Sequence, residues 1–162
     1  MFKNSRHSLS SKSICPCNSE KLFSECCSKV INNQALALTP EVLMRSRYTA
    51  FVIENSDYLL QSWHFSTRPK TLTFEKHIIW LKLIIEKAPL PLPSDNIGYV
   101  SFCAQCIQND NMIKITEKST FIRKANLWFY RDGELATQET PLSLNGLCAC
   151  GSGKKYKRCC KI

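Results

Sequence analysis

The chain lacks any long apolar run. Its longest, Ile78 to Ile85, is broken by Lys82 and falls far short of the roughly 20 residues that a membrane-spanning helix needs. The opening stretch, MFKNSRHSLSSKS, lacks the apolar centre of a secretory signal peptide. Neither export nor a membrane span is expected, and the chain reads as cytoplasmic. Acid is scarce as well, with 13 Asp and Glu against 22 Lys and Arg and a formal charge of +9. A composition 44% hydrophobic and 22% charged is still that of a folding chain. At 162 residues it predicts one main core with small appendages.

What is abundant is cysteine. Ten cysteines without an export signal point to a reducing compartment, where such density means metal more often than disulfides. Eight of them form two copies of one pattern, C-x-C-x8-C-C: Cys15, Cys17, Cys26 and Cys27 near the start, Cys148, Cys150, Cys159 and Cys160 near the end. The first pair sets two sulfurs on one tight turn and the adjacent pair closes a tetrahedron from a second element, which suits zinc. The reading is two zinc ions, one per knuckle, although four thiolates also suit iron. Neither copy has enough apolar residues for a core of its own, so ligation must supply its folding energy. Each loaded zinc site counts as −2, which brings the formal +9 to about +5.

The copies differ at the turn. The second has Gly151-Ser152-Gly153, free to take positive φ and to aim backbone N–H groups at the thiolates. The first has Asn18-Ser19-Glu20, where Glu20 resists left-handed geometry and adds like charge, so weaker binding is expected there. Around the second copy Lys154, Lys155, Lys157 and Arg158 offset the thiolates and form a candidate partner-binding surface.

Between the knuckles, Thr39-Pro40-Glu41 is an N-cap, a first-turn proline and an acid, predicting a helix from about Pro40 to Ile53. Asn55-Ser56-Asp57 opens a second, short helix carrying Tyr58, Leu59, Leu60 and Trp63. Four stretches rich in β-branched and aromatic residues then predict strands at Trp80–Lys87, Tyr99–Gln108, Met112–Lys124 and Leu127–Arg131. Turn-like separators favour antiparallel hairpins. The fold class is α+β, helices on one face of a curved antiparallel sheet. The expected layout is a flexible tail (1–13), a knuckle (14–30), the central domain (38–133), a linker (134–146) and a second knuckle (147–162).

The motif Cys148-Ala-Cys150-Gly-Ser-Gly-Lys-Lys-Tyr-Lys-Arg-Cys159-Cys160 resembles the SEC-C zinc motif at the C-terminus of the SecA translocation ATPase. There it contacts the chaperone SecB and the ribosome, so the resemblance implies docking. Leu43-Met44-Arg45-Ser46-Arg47-Tyr48-Thr49-Ala50-Phe51-Val52, Asp57-Tyr58-Leu59-Leu60 and Ser62-Trp63-His64-Phe65-Ser66-Thr67-Arg68-Pro69 resemble the YchJ family. Glu117-Lys-Ser119-Thr-Phe121, Leu127-Trp128-Phe129-Tyr130 and Asp132-Gly133 are similar to it too. That resemblance implies a cone-shaped, nuclear transport factor 2-like middle domain and carries no biochemical role.

A cone of this kind encloses a pocket, so inward polar residues are candidates. Ile113, Ile115, Glu117, Ser119 and Phe121 share one face of the third strand, placing an acid in an apolar row. The segment carrying Trp63, His64 and Arg68 is expected to close over it, with His64 as general base and Arg68 as anion clamp. The structural alternative is that Arg68 or Arg47 pairs with Glu117 and Trp63 plugs the pocket. Cys103 and Cys106, three apart on a strand, point to opposite faces and read as small core hydrophobes. His7 and His77 read as surface residues.

The leading functional reading is a non-enzymatic adaptor docking on a chaperone-like or acidic protein surface through its knuckles. A small-molecule binder or enzyme using the pocket comes second. Nucleic acid is third, favoured by the basic knuckle but short of stacking aromatics beyond Tyr156.

Overall fold

The computed structural model describes residues 9–161. The expected tail over 1–13 and His7 lie mostly outside that range. Within it, Ser11 belongs to the first knuckle, because its carbonyl accepts from Ser24 Oγ at 2.9 Å.

Three helices precede the sheet: α1 (Cys27–Asn32), α2 (Pro40–Val52) and α3 (Ser56–Gln61). The caps act as their sequence predicts. Thr39 Oγ1 accepts from the Val42 N–H at 3.3 Å with Pro40 in the first turn, and Asn55 Oδ1 accepts from the Tyr58 N–H at 3.0 Å. Helix α1 was not expected. It is only six residues long, its apolar residues are few, and the adjacent cysteines obscure its periodicity.

Four strands, β1 (Ile79–Lys87), β2 (Ile97–Gln108), β3 (Asn111–Lys124) and β4 (Leu127–Pro141), form one antiparallel meander in the order β1-β2-β3-β4. Both long hairpins turn on two residues with positive φ, Asn109-Asp110 and Ala125-Asn126, as a turn matched to strand twist requires. Register shifts in β1, and one between β3 and β4 that leaves Arg131 unpaired, bend the sheet.

The linker expected over 134–146 is corrected in its first half, because β4 continues to Pro141 with Leu135 opposite Glu117 and Thr140 opposite Met112. This extension is exposed along its length, so it carries no apolar alternation to reveal a strand. Pairing with β3 holds it instead.

Helix α2 lies on the concave face. Leu43, Tyr48, Leu59, Leu83, Val100, Phe102, Phe121 and Trp128 make the main core, which also takes in Val30 of α1. The start of α2 can approach β2 because position 98 is glycine; a Cβ there would overlap the Pro40 ring. Cys103 and Cys106 are both buried. No described helix is long and apolar enough to cross a membrane.

Candidate metal centres and the concave cavity

Each cysteine quartet converges. Within each set the four sulfurs all lie within 4.8 Å of one another. Cys17 and Cys26 sulfurs are 3.6 Å apart, Cys26 and Cys27 3.9 Å, Cys150 and Cys159 3.5 Å, Cys159 and Cys160 3.9 Å. A tetrahedron with metal–sulfur bonds near 2.3 Å has edges of roughly 3.8 Å, so both quartets fit a four-coordinate ion. All four donors are protein sulfurs, which leaves no open coordination position for a substrate.

The two centres are built alike. Ile14 bridges to Leu22 and Leu147 to Lys155, and single 3-10 turns at Phe23–Glu25 and Tyr156–Arg158 lead into the adjacent cysteines. Asn18 and Glu20 have φ of 62° and 63°, against 77° and 73° for Gly151 and Gly153. The same left-handed turn is therefore made with and without glycine. Ser19 Oγ lies 3.1 Å from Cys26 Sγ, and Ser152 Oγ 3.1 Å from Cys159 Sγ, placed to donate to a thiolate. Serine stands at the same place in both copies, a signal that the cysteine spacing alone does not carry.

Crowding sets the ionisation. Hydrogen bonds from Cys17 and Cys27 hold the Cys15 thiol far down, while sharing a proton with Cys15 pushes Cys17 and Cys27 up. At the second centre burial raises Cys150, but the Ser152 side chain and backbone and the neighbouring sulfurs outweigh it and bring Cys150 to about 6. Burial raises Cys148 and Cys160. Charge collects on part of each quartet, and four thiolates together need a cation.

The centres are anchored differently. The first sits against α2: Cys15 Sγ is 3.8 Å from Thr49 Oγ1, and Arg45, paired with Glu41 at 2.8 Å, donates to the Cys17 carbonyl at 2.8 Å. The second packs Cys148, Tyr156 and Cys160 on Ile107, which alternates away from the α2 side of β2. Lys154, Lys155, Lys157 and Arg158 are all exposed there, and none forms an ion pair among the described residues.

The concave cavity has a volume of about 290 Å³ and lies between α2, the sheet and the segment before β1. Glu117 lines it; Trp63, His64 and Arg68 do not. The expectation that this trio closes the pocket is corrected by β-pairing. Ser62–His64 runs along β4, with Tyr130 N donating to the Ser62 carbonyl at 3.0 Å and His64 N to the Tyr130 carbonyl at 2.7 Å. The unpaired Arg131 then uses its carbonyl to capture Trp63 Nε1 and Thr67 Oγ1. His64 bonds Ser66 at 2.7 Å, and the exposed Arg68 side chain reaches, among the described residues, only the Leu60 carbonyl, at 3.5 Å. His77 is exposed.

Glu117 Oε1 accepts from Ser119 at 2.7 Å and from Tyr130 at 2.9 Å. Neither arginine pairs with it. Arg47 is buried, donates to the Leu59 carbonyl at 2.8 Å and Ser62 Oγ at 2.7 Å, and lies over the rings of Tyr130 and Trp63 at 4.6 and 5.1 Å. Burial lowers its pKa to about 10, which leaves it charged at neutral pH.

With this geometry in hand, residues 39–133 match the family model for the YchJ middle NTF2-like domain. The chain belongs to the YchJ family. It is 39% identical over 154 residues to a UPF0225 protein of Enterobacter sp. (strain 638), covering 91% of this chain and 97% of that one. Identity to the UPF0225 protein YchJ of Shigella dysenteriae serotype 1 (strain Sd197) is also 39%, over 152 residues, with the same coverage. A crystal structure of a SEC-C motif containing protein from Psychrobacter arcticus superposes with a TM-score of 0.62 at 29% identity, over 93% of this chain and 96% of that one. The solution structure of another, from Rhodopseudomonas palustris, gives 0.64 at 24% identity over 75% and 98%. The YchJ-family fold is thus a four-stranded antiparallel sheet with helices, flanked by two four-cysteine clusters able to hold metal.

Proposed function

We propose that this YchJ-family protein is a cytoplasmic, non-enzymatic adaptor, whose two knuckles each hold a structural zinc ion and whose second knuckle docks on an acidic protein surface. One observation carries the reading. The second knuckle keeps Leu147 76% exposed beside Lys155, with Lys154, Lys157 and Arg158 exposed around it. An apolar anchor ringed by unpaired cations suits a partner with an apolar patch rimmed by carboxylates. Ile14, at the same place in the first knuckle, is 51% exposed, but its neighbourhood is less basic. Closed four-sulfur centres fit a scaffolding metal better than a reacting one. Against RNA stands Tyr156, the knuckle's one aromatic, which is buried and cannot stack on a base.

The test compares zinc-loaded protein with two variants, Leu147→Asp and the triple change Lys154→Glu, Lys155→Glu, Lys157→Glu, in quantitative pull-downs from the native lysate. Both variants are expected to keep two zinc ions per chain and to lose the same acidic partner. A partner retained equally by all three proteins, or no partner at all, overturns the reading.

A further inference from the structure

The concave cavity has a chemistry that the knuckles do not use. Five aromatic residues line it, and four of them form a chain of ring contacts: Tyr48 meets Trp80 edge-on at 5.5 Å, Phe51 meets Phe74 at 6.2 Å and Trp80 at 6.3 Å, with Phe102 as the fifth. Its charged lining is acidic, from Glu54, Glu75 and Glu117, and no lysine, arginine or histidine is among the described residues that line it. Glu75 is engaged by Gln108. Glu117 is the acid placed inside the cone.

Its geometry is built. Both hydroxyl donors converge on Oε1, and no partner to Oε2 is found among the described residues. Across the sheet, Gly133 leaves the space that the carboxylate occupies; a Cβ there would overlap Glu117 Cγ, Cδ and Oε1. Arg47, the nearest buried cation, faces the Tyr130 ring and spends donors on Leu59 and Ser62. A carboxylate oriented by two hydroxyls, in no ion pair among the described residues although it feels the charge of Arg47, and set beside an aromatic wall, is complementary to a positive charge on an apolar body.

We infer that the concave cavity is a binding site for a small organic cation, its ammonium group meeting Glu117 and its apolar body lying among Tyr48, Phe51, Phe74 and Trp80. The volume of about 290 Å³ suits a single-ring amine, since small-molecule pockets start near roughly 300 Å³. The inference is independent of the docking role, because the cavity and the second knuckle lie on opposite faces of the sheet.

The experiment uses the full zinc-loaded chain and three probes of one shape: phenethylammonium, the neutral 2-phenylethanol and the anionic 3-phenylpropionate. Binding is followed by backbone amide shifts in two-dimensional NMR. Phenethylammonium is expected to saturate with shifts clustered at residues 44–54, 73–80 and 115–117. It should bind about tenfold or more tighter than the alcohol, with the acid weakest. Glu117→Gln keeps an acceptor for Ser119 and Tyr130 and should remove that preference while leaving the alcohol's affinity unchanged. Equal or tighter binding of the alcohol or the acid, shifts elsewhere, or no saturation by phenethylammonium overturns the inference. The charge series on the unaltered protein decides the matter even if the variant folds poorly.

Discussion

Tyr156 donates its phenolic hydrogen to Asp110 Oδ1 at 2.7 Å, and Lys161 approaches Oδ2 of the same carboxylate at 2.6 Å. One side chain of the β2–β3 turn thus tethers the second knuckle at two points, the first residue of its 3-10 turn and the residue after Cys160. Lys161, then Tyr156, hold the Asp110 carboxyl below its usual range. A depressed carboxylate contributes above its unfolded pKa and is lost only as pH falls through the folded value. The tether should therefore be constant from about pH 8 to pH 5, so that loosening of the knuckle in that window reports protonation of its sulfurs. Asp110→Asn keeps the shape but loses the charge. It is expected to raise amide exchange in residues 144–161 at pH 7 while the sheet stays protected, and unchanged exchange would show the tether to be idle.

Glu20 occupies, at φ 63°, a position that Gly153 fills in the other copy. A side chain in the left-handed region costs about 1 kcal/mol relative to glycine. Glu20→Gly should tighten zinc at the first centre by about fivefold, and Gly153→Glu should weaken the second by a similar factor. Competition against a chromophoric chelator, with the other centre removed, measures both. An unaltered affinity in Glu20→Gly would mean that the turn bears no strain that metal binding must overcome.

How much of this was legible depended on where the determinants lie. Cysteine spacing is local, and both quartets close as it predicts. Thr39-Pro40 and Asn55 are local caps, and they start their helices. The strand faces also followed from alternation, placing Glu117 inside. What failed was non-local. The Ser62–His64 segment is captured by a bulge at Arg131, 68 residues beyond Trp63, and no periodicity in either stretch announces it. The extension of β4 past Gly133 is exposed throughout, with Leu135 and Ala136 adjacent rather than alternating, and owes its conformation to β3. The aromatic wall was hidden for a related reason, because Phe74 lies in an irregular segment that meets α2 only after folding.

The two knuckles should not be energetically equivalent, because they join different cores. In the first, Cys15, Cys17 and Cys27 have a small cluster of their own, but α1 joins it to the main one, with Ile31 packed against both and Val30 in the main cluster with Leu43, Leu59 and Phe121, while Cys15 lies against Thr49 on α2. In the second, Cys148, Tyr156 and Cys160 form a separate small cluster with Ile107. Loss of metal at the first centre frees α1 and strips one side from α2; loss at the second exposes a patch on the outer face of an intact sheet. Cys15→Ser is therefore expected to lower the stability of the central domain by about 2 kcal/mol or more, as removal of buried core contacts does, and Cys148→Ser by under about 1 kcal/mol. Urea unfolding followed by far-UV circular dichroism separates the two, with metal content measured on each sample to confirm that one ion has gone. Equal losses would mean that the second knuckle supports the sheet as firmly as the first supports α2, and that its contact with Ile107 is part of the main core.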